Sequence, residues 1–193
     1  MAALSNALWF FEPIQIFSTL GAAVNFGGSA LQSPLVMPTI MDSVVPVPVH
    51  YTAQQTAYLL HNSEHFFPPL NALCSLSNLI LTGLAYYNRD SSAIAAAKLP
   101  RLGLATVLNI ATTAWALGIM VPMNKRMAVL ANKLKAGVEM GQEKETDHKL
   151  AEREFRGLQQ RWTKLNYGRA AIMIASALVG ASALIVKPAV LLV

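Results

Sequence analysis

The sequence predicts an all-α integral membrane protein. The fold is a four-helix bundle with a Pro-rich ordered loop between helices 1 and 2 and a long helical cytosolic extension before helix 4. Three observations predict it. First, of 193 residues, 54% are hydrophobic and only 13% charged, against about 25% charged in an ordinary soluble domain. Second, four stretches free of Asp, Glu, Lys and Arg are each long enough for a membrane helix of about 17–25 residues: Pro13 to Met41, His65 to Asn88, Leu102 to Asn124 and Ala170 to Val186. Third, the charge is concentrated in one segment, Lys125 to Lys164, with ten basic and six acidic residues.

These numbers argue against a soluble globular enzyme and against disorder. The single cysteine excludes an intrachain disulfide framework and a multi-cysteine metal cluster. A net charge of +5 does not call for nucleic acid, because membrane proteins use basic residues to set topology. The chain reads as one membrane domain, 1–193, with spans at about 8–32, 66–88, 102–122 and 168–190.

The first helix is expected to begin around Asn6 to Pro13 and to be retained, since Met1 to Phe11 has no basic region of the signal-peptide kind. Pro34 and Pro38 should end it near Gln32 to Leu35. Its second half, with Asn25, Gly27, Gly28 and Ser29, is small and polar and should face other helices. Ala23 with Gly27, and Ser176 with Gly180 in the last span, are small residues four apart. The run from Val44 to Val49 contains Pro46 and Pro48 and cannot be regular helix. It should be an ordered loop leading into a short helix over Thr52 to His61. Pro68-Pro69 marks the entry to helix 2.

Beyond the third span, Met127, Leu130 and Leu134 recur at helical spacing, and Gly137 to Gly141 signals a break. Leu150, Phe155, Leu158, Trp162 and Leu165 form a second stripe. Helix 4 should therefore run from about Glu143 into its span. The distribution of Lys and Arg puts the 32–64 and 125–167 segments in the cytosol.

Polar residues within or beside apolar spans are functional suspects, because burying them unpaired is expensive. Asn25 is suited to an interhelical bond or to a ligand. His61 and His65 share a helical face at i,i+4. They suit interfacial hydrogen bonding, general-base work near neutral pH, or, less favoured, a metal ion with His50 or Glu64 as third ligand. Asn124 follows Pro122 at the mouth of the third span. Trp162, Asn166 and Arg169 are spaced i, i+4 and i+7 and fall on one face. An indole, an amide and a guanidinium there suit a planar, oxygenated molecule, or an interfacial aromatic belt with a snorkelling arginine. No nucleotide-binding or haem motif is present.

The order Asn25-x-Gly27-Gly28, then Met120-Val121-Pro122-x-Asn124, then Trp162-x3-Asn166-x2-Arg169-Ala170 resembles the anthrone oxygenase-like family of small four-helix membrane proteins, the DUF1772 domain. The resemblance runs from about Gly21 to Ala183. It implies oxidation of a lipophilic aromatic polyketide such as an anthrone to a quinone with O2 as co-substrate and no organic cofactor. On that reading His61 or His65 is the base, Arg169 and the amides of Asn124 and Asn166 stabilise the oxyanion, Trp162 stacks on the ring, and Asn25 contacts substrate. The His61/Glu64/His65 cluster lies outside the family pattern.

The expected partners are a lipophilic small molecule and membrane lipid, with a homodimer compatible with the small-residue patches. The expected location is the endoplasmic reticulum. The alternatives are a non-oxidative cyclase or isomerase of a secondary-metabolite pathway on the same scaffold, or a small membrane scaffold protein.

Overall fold

The computed structural model describes residues 11–42, 45–142 and 145–186. Every regular element among the described residues is a helix. Helix α1 (Phe11–Leu31) passes through a π-helical turn (Gln32–Val36) into α2 (Met37–Met41). Helix α3 spans Val49–Tyr87. Helix α4 (Ala93–Trp115) passes through a second π-helical turn (Ala116–Met120) into α5 (Val121–Glu139). Helix α6 spans Thr146–Leu184.

The two π turns share one cause. Met37 N–H bonds to the Gln32 carbonyl and Val121 N–H to the Ala116 carbonyl, five residues back rather than four. Each bond falls one residue before a proline, Pro38 or Pro122. A proline has no N–H, and its ring crowds the carbonyl four residues earlier. Widening the preceding turn relieves that crowding, and the helix carries on. The expectation that Pro34 and Pro38 end the first helix near Gln32 to Leu35 is therefore corrected: the chain stays helical to Met41.

The second region also differs from expectation. Residues 45–48 are non-helical, as their prolines require, and residues 43 and 44 lie outside the described residues. From Val49 onward, however, a single helix takes in both the expected short helix over Thr52 to His61 and the Pro68-Pro69 pair. Adjacent prolines cost two hydrogen bonds but do not end this helix, which has buried residues before them at Leu60 and after them at Asn71 and Cys74. After α5, Gly141 at φ 70° turns the chain, and Gln142 N–H bonds to the Gly137 carbonyl at 2.8 Å. A glycine C-cap explains that stop, and α6 then runs unbroken.

The chain divides into two compact units. The first comprises 1–27, 69–113 and 171–193. Its apolar core is small, around Phe11, Leu81, Ala85, Ala95, Leu102 and Ala183. Most of the rest of its interior is polar. Ser18 bonds to Asn78 at 3.0 Å, Asn25 to Asn71 at 3.3 Å, and Asn71 to the Asn109 carbonyl at 3.1 Å and to Thr113 at 2.6 Å. Lys98 Nζ donates to Gln15 at 3.0 Å. The exterior carries Phe17, Leu20, Val24, Leu76, Val107, Ile110 and Leu178. This is the reverse of a water-soluble domain. It suits hydrocarbon, where polar groups must be satisfied internally. Of the small pairs, Gly180 packs directly on Thr19, whereas Ala23 is exposed and a Cβ added at Gly27 would meet nothing within 4 Å.

The second unit comprises 28–68 and 114–170. Its core is conventional and rich in methionine: Met37, Leu60, Met120, Met127, Leu134, Phe155 and Trp162. On its surface Arg126 grips Glu154 with two hydrogen bonds, 2.7 and 3.0 Å. This contact holds the Glu154 carboxyl below its usual range. Two stretches, Ala93–Glu139 and Thr146–Leu184, are long and apolar enough to cross a membrane.

Candidate functional site

The second unit encloses a cavity of about 20 Å³. That is room for one water, or for one oxygen atom of a larger molecule. Each of the four helical runs contributes to its wall. Gln32 comes from the first π turn, Ser63, Glu64 and Pro68 from α3, Ala116 and Met120 from the second π turn, Val121 and Asn124 from α5, and Trp162 and Arg169 from α6. The widened turns thus supply wall residues, in keeping with the tendency of π turns to occur at functional sites.

One side of the cavity is a directed chain of hydrogen bonds. Trp162 Nε1 donates to Asn124 Oδ1 at 2.9 Å. Asn124 Nδ2 donates to Glu64 Oε1. An indole N–H can only donate. It therefore fixes which end of the Asn124 amide faces it, and leaves the amide NH2 for the carboxylate.

Two other wall residues carry buried polar atoms without partners among the described residues. Arg169 is 9% exposed. One terminal nitrogen donates to Ser29 Oγ at 2.9 Å, while its Nε has no partner. Gln32 is 6% exposed; its Nε2 donates to Ser63 Oγ at 2.8 Å, while its Oε1 has no partner. A buried polar atom left unpaired costs roughly 1–3 kcal/mol, so such atoms around one cavity point to a ligand. Glu64 and Arg169 line this cavity without pairing with each other. The ion pairs among the described residues are Arg89–Asp90, Arg126–Glu154, Lys135–Glu139 and His148–Glu152.

The structure brings Asn124, Trp162 and Arg169 together at this cavity. Asn166 is fully buried beside them but is used as a tie: its Nδ2 donates to the Ser29 carbonyl at 2.6 Å and to Ser33 Oγ at 2.9 Å. Asn25 belongs to the first unit, bonded to Asn71. His61 and His65 are not brought to the cavity. Both are exposed, with rings 4.3 Å apart and His65 Nδ1 2.7 Å from the His61 carbonyl. Among the described residues no group of three His, Cys, Asp or Glu is placed to hold a metal ion.

Spacing and composition assign no site role to Gln32, Ser29, Ser33 or Ser63, and they offer Glu64 only as a metal ligand. The available signal was the polarity of Ser29, Gln32 and Ser33 inside an uncharged stretch.

Fold and site together define a class: a small all-helical protein suited to a membrane, with a half-buried carboxylate and a buried guanidinium around an oxygen-sized cavity. The chain belongs to the anthrone oxygenase family, whose profile, described as Anthrone oxygenase, matches residues 57–179. The matched stretch includes Glu64, Asn124, Trp162 and Arg169. Searches of curated proteins and of solved structures gave no match.

Proposed function

We propose that this protein is a multi-pass membrane oxygenase that converts a lipophilic aromatic polyketide of the anthrone type to a quinone, with O2 as co-substrate and no organic cofactor. The observation that carries the reading is the pair of buried atoms without a partner among the described residues, Arg169 Nε and Gln32 Oε1, on the same cavity as Glu64 in a member of this family. A phenol or enol oxygen entering the cavity accepts from Arg169 and gives its hydrogen to Gln32. Ligand pockets usually measure about 300–1,000 Å³, so only the oxygenated edge of a tricyclic substrate fits in 20 Å³. The apolar wall residues Leu60, Pro68, Met120 and Val121 suit the rings that follow it.

The chemistry balances without a cofactor. A base takes one proton from the substrate methylene, giving a carbanion whose charge spreads onto the oxygen held by Arg169. The carbanion passes one electron to O2, and the carbon radical and superoxide combine as a peroxide. Loss of the second C–H proton as the O–O bond breaks leaves a carbonyl and one water.

The protein is placed in the endoplasmic reticulum membrane with the 32–64 and 125–167 segments cytosolic. The apolar exterior of the first unit supports the membrane setting, and the basic residues of the 125–164 segment support the orientation.

The test is turnover of a dihydroxyanthrone by protein reconstituted in vesicles. Quinone formation well above autoxidation, with one O2 consumed per product, is expected. No acceleration over empty vesicles would overturn the reading. Substrate consumed equally well without O2, to a product of unchanged oxidation state, would point instead to a non-oxidative cyclase or isomerase.

A further inference from the structure

We propose that Glu64 is the catalytic base of this site, and that Asn124 and Trp162 are the residues that position it. The inference rests on the oxygenase reading and deepens it.

The argument begins with what is missing around Glu64. It lines the cavity, and among the described residues no cation within ion-pair distance claims its carboxylate. Its one recorded side-chain partner is the Asn124 amide. A carboxylate accepts at two oxygens and about four lone-pair sites. Asn124 occupies one of them and leaves the others available to a proton on the substrate.

The direction of the contact then matters. Asn124 can donate to Glu64 only while its oxygen faces away, and the donor-only indole of Trp162 holds it that way. Glu64 is thereby held on the cavity wall by an N–H of fixed direction. Arg169 lies on the same cavity but is unpaired with Glu64. Base and anion-stabilising group thus share the wall of one cavity without neutralising each other, so a substrate whose oxygen is held by Arg169 can present its carbon acid to Glu64. His61 and His65, the other titratable side chains of this turn of α3, are exposed and absent from the wall.

Proton abstraction can be measured without oxygenation. In deuterated buffer without O2, a base exchanges the methylene hydrogens of a dihydroxyanthrone for deuterium, read by NMR. Wild-type protein in vesicles should accelerate this exchange. Glu64→Gln, which keeps the acceptor for Asn124, should lower it by about 10²–10⁴-fold, the usual contribution of a positioned base, and Glu64→Asp should recover part of the loss. Trp162→Phe keeps the ring and removes the donor; it and Asn124→Ala should each lower the exchange rate constant by about tenfold, the scale of one hydrogen bond, with little change in KM. His61→Ala with His65→Ala should exchange at the wild-type rate.

Wild-type exchange rates in folded Glu64→Gln, or in both Asn124→Ala and Trp162→Phe, would overturn the respective assignments while leaving the oxygenase reading intact. Absence of both exchange and oxidation in wild-type protein would overturn the oxygenase reading and this proposal together.

Discussion

Arg169 and Asn166, one helical turn apart on α6, converge on the same residue. Asn166 holds the Ser29 carbonyl at 2.6 Å and Arg169 holds the Ser29 hydroxyl at 2.9 Å. Ser29 therefore sets the direction of the guanidinium while Asn166 fixes the backbone that carries Ser29. Arg169→Lys keeps the charge but loses the planar fork that serves Ser29 and the cavity at once. It should lower quinone formation by about 10²-fold, the low end for losing an anion-stabilising donor. Ser29→Ala should lower it about tenfold, with Arg169 present but unaimed. Steady-state rates in vesicles check both. Full activity in folded Arg169→Lys would remove Arg169 from the site.

Adjacent glycines in α1 give a matched pair of substitutions. The Phe67 ring occupies the place where a Gly28 Cβ would go, whereas Gly27 has nothing within 4 Å. Both gain the same helix propensity on becoming alanine. Gly28→Ala should therefore be less stable than Gly27→Ala by about 1–3 kcal/mol, the usual cost of overpacking. Denaturation midpoints in one detergent measure the difference, and equal midpoints would contradict the packing described.

Asn71 is the hub of the first unit's polar interior, accepting from Asn25 and donating to the Asn109 carbonyl and to Thr113. Asn71→Leu should destabilise by about 1–3 kcal/mol, because it strands buried partners. Asn71 lies outside the cavity wall, so activity per folded molecule should stay near wild type. A reversible unfolding series alongside the turnover assay separates the two effects.

The Arg126–Glu154 contact makes a pH prediction. Arg126 holds the Glu154 carboxyl below its usual range. The stabilisation is therefore full above the unfolded-state value, about 4.3, and is lost as pH falls through the lower folded value. Glu154→Gln should lower Tm slightly at neutral pH. The gap to wild type should close in strong acid and shrink with added salt, since both side chains are about half exposed. A gap that widens in acid would refute the sign.

Much of the helical layout was legible in the sequence because charge and apolar spacing report on it directly. The stop near Gly141 and the long α6 follow from a glycine and a stripe ending at Leu165. The π turns were not legible, because Pro38 and Pro122 have the same local signature whether a helix ends or widens to pass them. The site was half legible. Trp162, Asn166 and Arg169 share a face by spacing alone. Glu64 and His65 are adjacent in sequence but about 100° apart around a helix, so one turns inward as the other turns out. Which of the two faces the cavity is decided by the packing partners of α3, and spacing does not report those.

Each widened turn also acts as a phase shifter. It adds one residue to its helix, so everything beyond it is advanced by about 100° relative to uninterrupted winding. Deleting one residue from Ala116–Met120 would restore regular geometry locally and swing Asn124 off its bearing to Trp162. Such a deletion should harm the protein more than a single exposed substitution, for example at Leu117, in the same turn. The length of these two stretches is therefore under tighter constraint than their exposed side chains.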